Sequence, residues 1–551
     1  MNCDYLIKNG TIVDGSGKKA FYGSVAVKDG KILEVLANSA AVEALEESSL
    51  KVLDAEGLTV CPGFIDMHSH ADWVMPLDDH PSILTPLLEQ GVTTVIGGNC
   101  GFSPAPLVQS SPYQDLLQKV TDFVADRPLD LNWESIESYF SDLEKQGIAL
   151  NLAMLAGHGM LRFSLLGDKH AYPDKESLSE MEQIMDSSLE EGACGISLGL
   201  GYAPGIFSEI RELEKFAGCA RNHDKILTVH LKAYTKLSGA YPLKIFGNEP
   251  HNLKALREML EMARKTGVKM QISHMLFVGE KTWPSVDRAL TMIDEAVEKG
   301  VDIAFDSFPY TCGNTTIYVV YPAWFLSNIE KNFQNRVARM RLKTEVAFIV
   351  KQLGFGLEDI QVLWGGHPEL EQYEGMFFTE IANQMGCSVF DAYLEVSEVS
   401  QGKTLCLLYK YSGDDKNEEA LRKVLSHPLN LFETDTILTS RGLQNPSSFG
   451  TFPRIIQKYH KEQKLFSLEE AISKMTGKSA ERFGIKDRGI IADGNWADLV
   501  IFDYNQITDN TTFKELEKRP SGIKHVFING KEVVKDGQAD HTILAGQAIR
   551  V

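Results

Sequence analysis

Short apolar, β-branched runs alternate with amphipathic stretches through the middle of the chain. The stretches at 253–266 and 285–299 repeat apolar residues at helical spacing. The apolar runs between such stretches are predicted as eight strands, at 63–68, 93–100, 148–158, 193–200, 226–231, 268–274, 301–308 and 429–435. Eight strand–helix units in series favour a (β/α)₈ barrel of the TIM type, and an open doubly wound sheet is the alternative.

The two ends of the chain share a different pattern. Lys-Asn-Gly-Thr-Ile-Val-Asp near the start and Ile-Asn-Gly-Lys-Glu-Val-Val near the end both indicate strand, turn and strand. We therefore predict a small β-sandwich domain built from residues 1–61 and 485–551, with the barrel over 62–484. The long interval at 311–428 is predicted as an inserted, mainly helical segment over the mouth of the barrel.

Composition narrows the classes of partner. A chain of 551 residues is too long for one compact core, so we expect more than one domain. Its content of 43% hydrophobic and 24% charged residues is ordinary for a globular protein. The formal net charge of −20 argues against nucleic acid and anionic membranes as partners and favours a small-molecule substrate. The first residues resemble no signal peptide and the eight cysteines are scattered singly, so we expect a cytoplasmic protein without a disulfide framework. The oligomeric state stays open.

The strongest local signal is Pro-Gly-Phe-Ile-Asp-Met-His-Ser-His, which ends in His68 and His70. Residues two apart on a strand point to the same side, so both imidazoles would face one point above the barrel. Imidazole is a preferred ligand of zinc. Asp66 lies one step earlier on that face and could support or join the ligands.

Three further residues end predicted strands: Cys100, His230 and His274. Alone, each histidine could be a hydrogen-bonded core residue and the cysteine a buried thiol. Their shared position at the carboxyl ends of strands, where barrel enzymes have their active sites, favours metal binding.

Asp435 ends the last predicted strand, and Glu433 is a weaker competitor on the same face. A carboxylate beside a bound zinc can take a proton from water and pass it to a leaving amine. Alone, Asp435 could also be a turn or capping residue.

The chain resembles the amidohydrolase superfamily and, within it, the N-acyl-D-amino-acid deacylase (D-aminoacylase) family. The likeness covers nearly the whole chain. It rests on the His68–His70 segment, Gly-Asn-Cys-Gly-Phe-Ser-Pro, Gly-His-Gly-Met-Leu-Arg, Gly-Thr-Phe-Pro-Arg and the segment at 487–503.

The resemblance implies zinc-dependent hydrolysis of an amide C–N bond, most simply in an N-acyl-D-amino acid. Cys100, His230 and His274 would hold a tightly bound Zn²⁺. His68 and His70 would form a second, weaker metal position, with Asp435 as the general acid/base.

The chain departs from the family where substrate is held. Leu276 and Ser447 stand where family members have a lysine and an arginine that bind the substrate carboxylate. The family's tyrosine is kept as Tyr310, and Lys232 or Arg441 could replace the lost cations, although both could be solvated surface residues. We therefore expect amide hydrolysis with a shifted substrate preference.

Two other functions remain open. A cyclic amidase or deaminase would use the same ligands, whereas a catalytically silent barrel scaffold is expected to lose one or more of them. All the implied ligands are present here.

Overall fold

A computed structural model describes residues 3–37, 39–47, 49–109, 111–167, 172–242 and 249–551. At its centre is a parallel sheet in which all eight predicted strands are present, each shorter than the sequence suggests. The barrel strands are β6 (Phe64–Asp66), β7 (Val92–Gly97), β8 (Asn151–Gly157), β9 (Gly195–Gly199), β10 (Ile226–His230), β11 (Lys269–Ile272), β12 (Ile303–Ser307) and β16 (Asn430–Phe432).

Neighbouring barrel strands pair in chain order from β6 to β12, and β16 pairs with β12. The first and last strands meet just beyond their ends, where Ser69 bridges to Thr436 in parallel. The amide of Asp435 donates to the carbonyl of His68 (3.0 Å), and that of His70 donates to the carbonyl of Thr436 (2.9 Å). The barrel is therefore closed by the backbone of the segments that contain the predicted metal-site residues.

Helices surround the barrel and cover its upper rim. Those that precede the insertion are α2 (His80–Ile83), α3 (Thr85–Glu89), α4 (Gln114–Thr121), α5 (Ile136–Gln146), α6 (His158–Leu166), α7 (Lys175–Glu190), α8 (Ile210–Asn222), α9 (His251–Thr266) and α10 (Val286–Glu298). The helix α1 (Ser39–Glu46) instead packs against strands near the start of the chain. After the insertion come α16 (Glu419–Ser426), α17 (Ser447–Arg454), a π-helix (Ile455–Glu462), α18 (Leu468–Met475) and α19 (Gly477–Phe483). Among the described residues, none of the helices is long and apolar enough to cross a membrane.

Strands from both ends of the chain form one mainly antiparallel sheet beside the barrel. These strands are β1 (Tyr5–Ile12), β2 (Phe21–Lys28), β3 (Lys31–Leu36), β4 (Lys51–Asp54), β5 (Thr59–Pro62), β17 (Leu499–Phe502), β18 (Ile523–Ile528), β19 (Lys531–Lys535) and β20 (Gln538–Ala539). The two ends join where β5 pairs with β17. The last strand, β21 (Ala548–Ile549), instead adds to β8 of the barrel.

The inserted segment is less helical than predicted. It contains a three-stranded antiparallel sheet of β13 (Cys312–Thr316), β14 (Ile360–Trp364) and β15 (Leu405–Tyr409). Its helices are α11 (Ala323–Leu326), α12 (Ile329–Phe333), α13 (Arg336–Leu353), α14 (Phe378–Met385) and α15 (Val389–Ser400). The central strand β15 is almost wholly apolar, which suits a strand covered on both faces. The insertion has its own apolar core around Phe325, Ile360 and Tyr393.

Candidate metal centre

The six predicted residues cluster at the carboxyl end of the barrel, although only His230 lies within a strand. The other five lie two to four residues beyond the ends of β6, β7, β11 and β16, with Cys100 in a short 3₁₀ turn (Asn99–Gly101). The expectation that His68 and His70 share a strand face is therefore wrong. Their rings approach each other instead through the turn after Asp66, with centroids 5.7 Å apart.

Three of these residues have a left-handed backbone, which non-glycine residues rarely adopt. The φ angles are 57° at Cys100, 32° at His274 and 47° at Asp435. Such conformations cost on the order of 1–3 kcal/mol each and persist where the surrounding structure determines them. In each case the left-handed residue lies just beyond the end of a barrel strand, at the mouth of the barrel.

The thiol of Cys100 is the centre of the cluster. Its Sγ lies 3.2 Å from Nε2 of His68, 3.6 Å from Nδ1 of His230 and 3.4 Å from Nε2 of His274. The ring nitrogens of His230 and His274 are 2.9 Å apart. Sulfur and nitrogen donors from four different strands or strand ends thus converge on one small volume.

A second group lies beside the first. His68 Nε2 is 3.5 Å from Oδ1 of Asp435, and His70 Nε2 is 3.9 Å from the same oxygen. The Asp435 side chain keeps 22% of its surface exposed, whereas His68 and His70 are almost fully buried. His68 belongs to both groups, so the arrangement offers two adjoining metal positions.

Burial sets the protonation of these groups. It lowers the pKa of His68 and of His274 to about 3, so both imidazoles are neutral and able to bind a metal at physiological pH. Burial also raises the pKa of the Cys100 thiol and, together with Asp306 and Asp66, that of the Asp435 carboxyl. A thiol held this way needs a cation beside it to become the thiolate that binds zinc.

The donor set fits zinc. One thiol and four imidazoles are the ligand types that zinc prefers, and their nitrogen and sulfur atoms face one another instead of backbone groups. Three of these rings, those of His68, His70 and His274, also have a buried Nδ1 with no hydrogen-bond partner. The histidines are therefore poorly explained as ordinary core residues, which usually satisfy both ring nitrogens.

Asp306 on β12, which was not among the predicted site residues, supports the cluster. One of its carboxylate oxygens accepts from the amide of His274 (2.7 Å) and lies 3.5 Å from Nδ1 of His68. The other oxygen accepts from Gln271 (2.8 Å). The available signal was a lone carboxylate in the apolar run Ile-Ala-Phe-Asp-Ser, close to the active end of a barrel strand.

Asp66 holds the backbone beside Asp435. Its carboxylate accepts from the amide (3.0 Å) and the hydroxyl (2.6 Å) of Thr434. Glu433, the competitor of Asp435, is fully buried and has no hydrogen-bond partner on either carboxylate oxygen. Asp435 is therefore the more accessible of the two carboxylates.

The three predicted substrate residues lie outside this cluster. The hydroxyl of Tyr310 donates to Asp509 (2.9 Å), and Lys232 lines a cavity of about 470 Å³ beside α8 and α9. Arg441 donates to the carbonyl of Ala125 (2.6 Å). Among the described residues, none of the three has a hydrogen bond or ion pair with the six, so their roles in substrate binding stay predictions.

Comparison with known proteins identifies a family and similar enzymes. The model of the amidohydrolase family matches residues 51–308 and 419–539. An N-acyl-D-glutamate deacylase of Alcaligenes xylosoxydans xylosoxydans is 30% identical over 98% of this chain and 95% of its own length.

Two solved structures of similar proteins align with this chain over its full length and over their own. One is an N-acyl-D-glutamate deacylase from Bordetella bronchiseptica, complexed with zinc and a phosphonate that mimics the tetrahedral intermediate (TM-score 0.77, 26% identity). Another is a D-aminoacylase that has a binuclear metal centre (TM-score 0.77, 26% identity). The shared fold therefore includes the barrel and the separate β domain.

Proposed function

Because the chain belongs to the amidohydrolase family and, within it, to the N-acyl-D-amino-acid deacylases, we propose that it hydrolyses the amide bond of an N-acyl-D-amino acid with bound zinc. The products are a free carboxylate and a D-amino acid. The enzyme class is that of hydrolases acting on non-peptide C–N bonds.

The observation that carries the proposal is the approach of the Cys100 thiol to three imidazoles within 3.2–3.6 Å, with Asp435 on the open side. Zinc bound there would polarise the substrate carbonyl and lower the pKa of a water molecule to about 7. Cys100, His230 and His274 would hold the ion tightly, and His68 and His70 would provide the second, weaker position.

In this proposal Asp435 moves the proton. Its carboxylate accepts a proton from the attacking water and then donates it to the nitrogen of the leaving amine. The Nε2 atoms of His68 and His70 lie 3.5 and 3.9 Å from one carboxylate oxygen of Asp435, so an ion held by these two rings would lie beside that carboxylate. Asp306 acts indirectly, because it fixes the backbone of His274.

The test is a substrate panel with controlled metal content. N-acetyl-D-amino acids, their L enantiomers and cyclic amides are incubated with the zinc-loaded and the chelator-treated protein, and the released amine or opened ring is measured. We expect hydrolysis of D substrates, loss of that activity on chelation and its return with added zinc. Cleavage of cyclic amides alone, or no cleavage by the zinc-loaded protein, would contradict the proposal.

The expectations of a cytoplasmic location and of no nucleic-acid partner stay predictions. The second of them rests on the net charge of −20.

A further inference from the structure

The side chain of Tyr234 lies between the ends of β10 and β11, beside two of the candidate zinc ligands. Its hydroxyl accepts a hydrogen bond from the amide of Leu231 (2.8 Å) and donates one to the carbonyl of Ser273 (2.9 Å). Leu231 directly follows His230, and Ser273 directly precedes His274. One hydroxyl group therefore joins the backbone next to both histidines.

This hydroxyl occupies the position where the next backbone hydrogen bond of the barrel sheet would form. The paired residues of β10 and β11 end at Val229 and Ile272, and the amide of Ser273 still donates to the carbonyl of Val229 (3.0 Å). In a continuous parallel ladder the following bond would run directly from the amide of Leu231 to the carbonyl of Ser273. The Tyr234 hydroxyl is inserted between these two groups instead, so it holds the strand ends apart by one oxygen atom.

The peptide group between Ser273 and His274 is fixed at both of its polar atoms. Its carbonyl accepts from the hydroxyl of Tyr234, and its amide donates to the carboxylate of Asp306 (2.7 Å). This peptide leads into the left-handed backbone of His274 (φ 32°), a conformation that persists where the surrounding structure determines it. Tyr234 and Asp306 thus hold the strained turn from opposite sides.

The ring of Tyr234 also contacts both imidazoles. Its centroid lies 5.0 Å from that of His230, with the ring planes at 86°, and 5.0 Å from that of His274, with the planes at 58°. The carbonyl of Tyr234 accepts from the amide of Val278 (2.9 Å) in the loop after β11, which anchors the residue from its other side. A ring held in this way restricts the two histidines, whose ring nitrogens are 2.9 Å apart.

We infer that Tyr234 is a positioning residue for the tightly bound zinc, and that its hydroxyl sets the separation of His230 and His274 through the gap between the two strand ends. The inference rests on the zinc site of the proposed function. Tyr234 does not bind the ion itself, because two backbone groups already use its hydroxyl. Without that hydroxyl the strand ends would either close or leave a backbone amide and a carbonyl unpaired, and either change moves one histidine relative to the other.

Tyr234→Phe removes the hydroxyl and keeps the ring, so it tests the inserted oxygen alone. Loss of a group that orients metal ligands weakens metal affinity by about 10–100-fold. We expect a loss of that size for Zn²⁺, measured from the zinc-loaded protein by competition with a chromophoric chelator. Tyr321→Phe is the matched control, because its buried hydroxyl donates to Ser397 (2.9 Å) in the core of the insertion. We expect that variant to bind Zn²⁺ as tightly as wild type.

Cobalt substitution reports the geometry of the ligands directly. The visible absorption bands of bound Co²⁺ depend on the type and arrangement of its ligands. At saturating Co²⁺ we expect shifted bands for Tyr234→Phe and the wild-type spectrum for Tyr321→Phe. The unfolding temperature of each variant, with and without metal, verifies that it is folded.

The outcomes separate this inference from the proposed function. Wild type that binds zinc but hydrolyses no amide would contradict the proposed function, and the metal measurements on Tyr234→Phe would still decide the inference. Zinc affinity and cobalt spectra that are the same in Tyr234→Phe and wild type would overturn the inference alone, even if the variant is less stable, since the role of the hydroxyl would then be structural only. Wild type that binds no zinc would overturn both.

Discussion

At the residue scale, burial fixes the protonation of the candidate metal ligands. Burial keeps His68 and His274 neutral, with pKa values lowered to about 3, and keeps the Cys100 thiol protonated until a cation binds. Asp435 is the partly exposed carboxylate beside these donors. In the proposed function, the buried donors would bind the metal and the more accessible Asp435 would exchange the proton.

Replacing Asp435 by asparagine separates proton transfer from metal binding. The amide keeps the shape of the side chain but cannot accept the proton, and loss of a general acid/base lowers rates by about 10²–10⁴-fold. We expect Asp435→Asn to keep the tightly bound zinc and to lose kcat by that factor, measured by metal analysis and steady-state kinetics. An asparagine variant with the kcat of wild type would remove Asp435 from this role.

At the element scale, strand ends and close backbone contacts position the candidate ligands. Gly199 ends β9 opposite His230 on β10. A Cβ added at Gly199 would lie 2.0 Å from the carbonyl oxygen of Cys100. Because Gly199 has no side chain, the segment that contains Cys100 can pack closely against the end of β9.

Gly199→Ala should therefore disturb the cysteine ligand. Overpacking of this kind costs about 1–3 kcal/mol, and the Cys100 loop must move to relieve it. We expect lower zinc affinity, measured by competition with a chromophoric chelator. Gly218→Ala on α8 is the control, since an added Cβ meets nothing within 4 Å. Equal zinc affinity in the two variants would show that Gly199 does not position Cys100.

The sequence predicts the elements of this site better than their ends. The alternation of short apolar runs with amphipathic stretches located all eight barrel strands, and the residue types at the ends of these runs identified the six clustered residues. The left-handed turns at Cys100, His274 and Asp435 were not predictable, because non-glycine residues with positive φ are held there by tertiary contacts. The support from Asp306 was missed for a similar reason, since it depends on the neighbouring strand of the barrel.

At the scale of the whole molecule, buried polar groups join the terminal sheet to the barrel. Asp498, just before β17, accepts from the side chain of Asn151 on β8 (3.1 Å) and from the amide of Asn529 (2.8 Å). Arg488 pairs with the same carboxylate, and both partners are nearly fully buried. Segments far apart in the chain thus meet at one carboxylate below the metal-binding rim.

Asp498→Ala should destabilise the protein and leave the ligands in place. Removing one partner leaves the buried guanidinium of Arg488 uncompensated, which costs about 3–5 kcal/mol. We expect a fall of that size in the free energy of unfolding, measured by chemical denaturation of the zinc-loaded protein. Glu515→Ala is the comparison, because its pair with Lys518 is exposed. A fall no larger than that of Glu515→Ala would contradict the role given to Asp498.

The proposed function depends most on a divalent ion held jointly by residues far apart in the sequence. Anomalous diffraction at the zinc edge, on crystals of the protein as purified, tests this directly. We expect a zinc peak bonded to Cys100, His230 and His274, with His68, His70 and Asp435 beside it. Crystals of zinc-containing protein with no peak at this cluster, or with the zinc bound elsewhere, would contradict it.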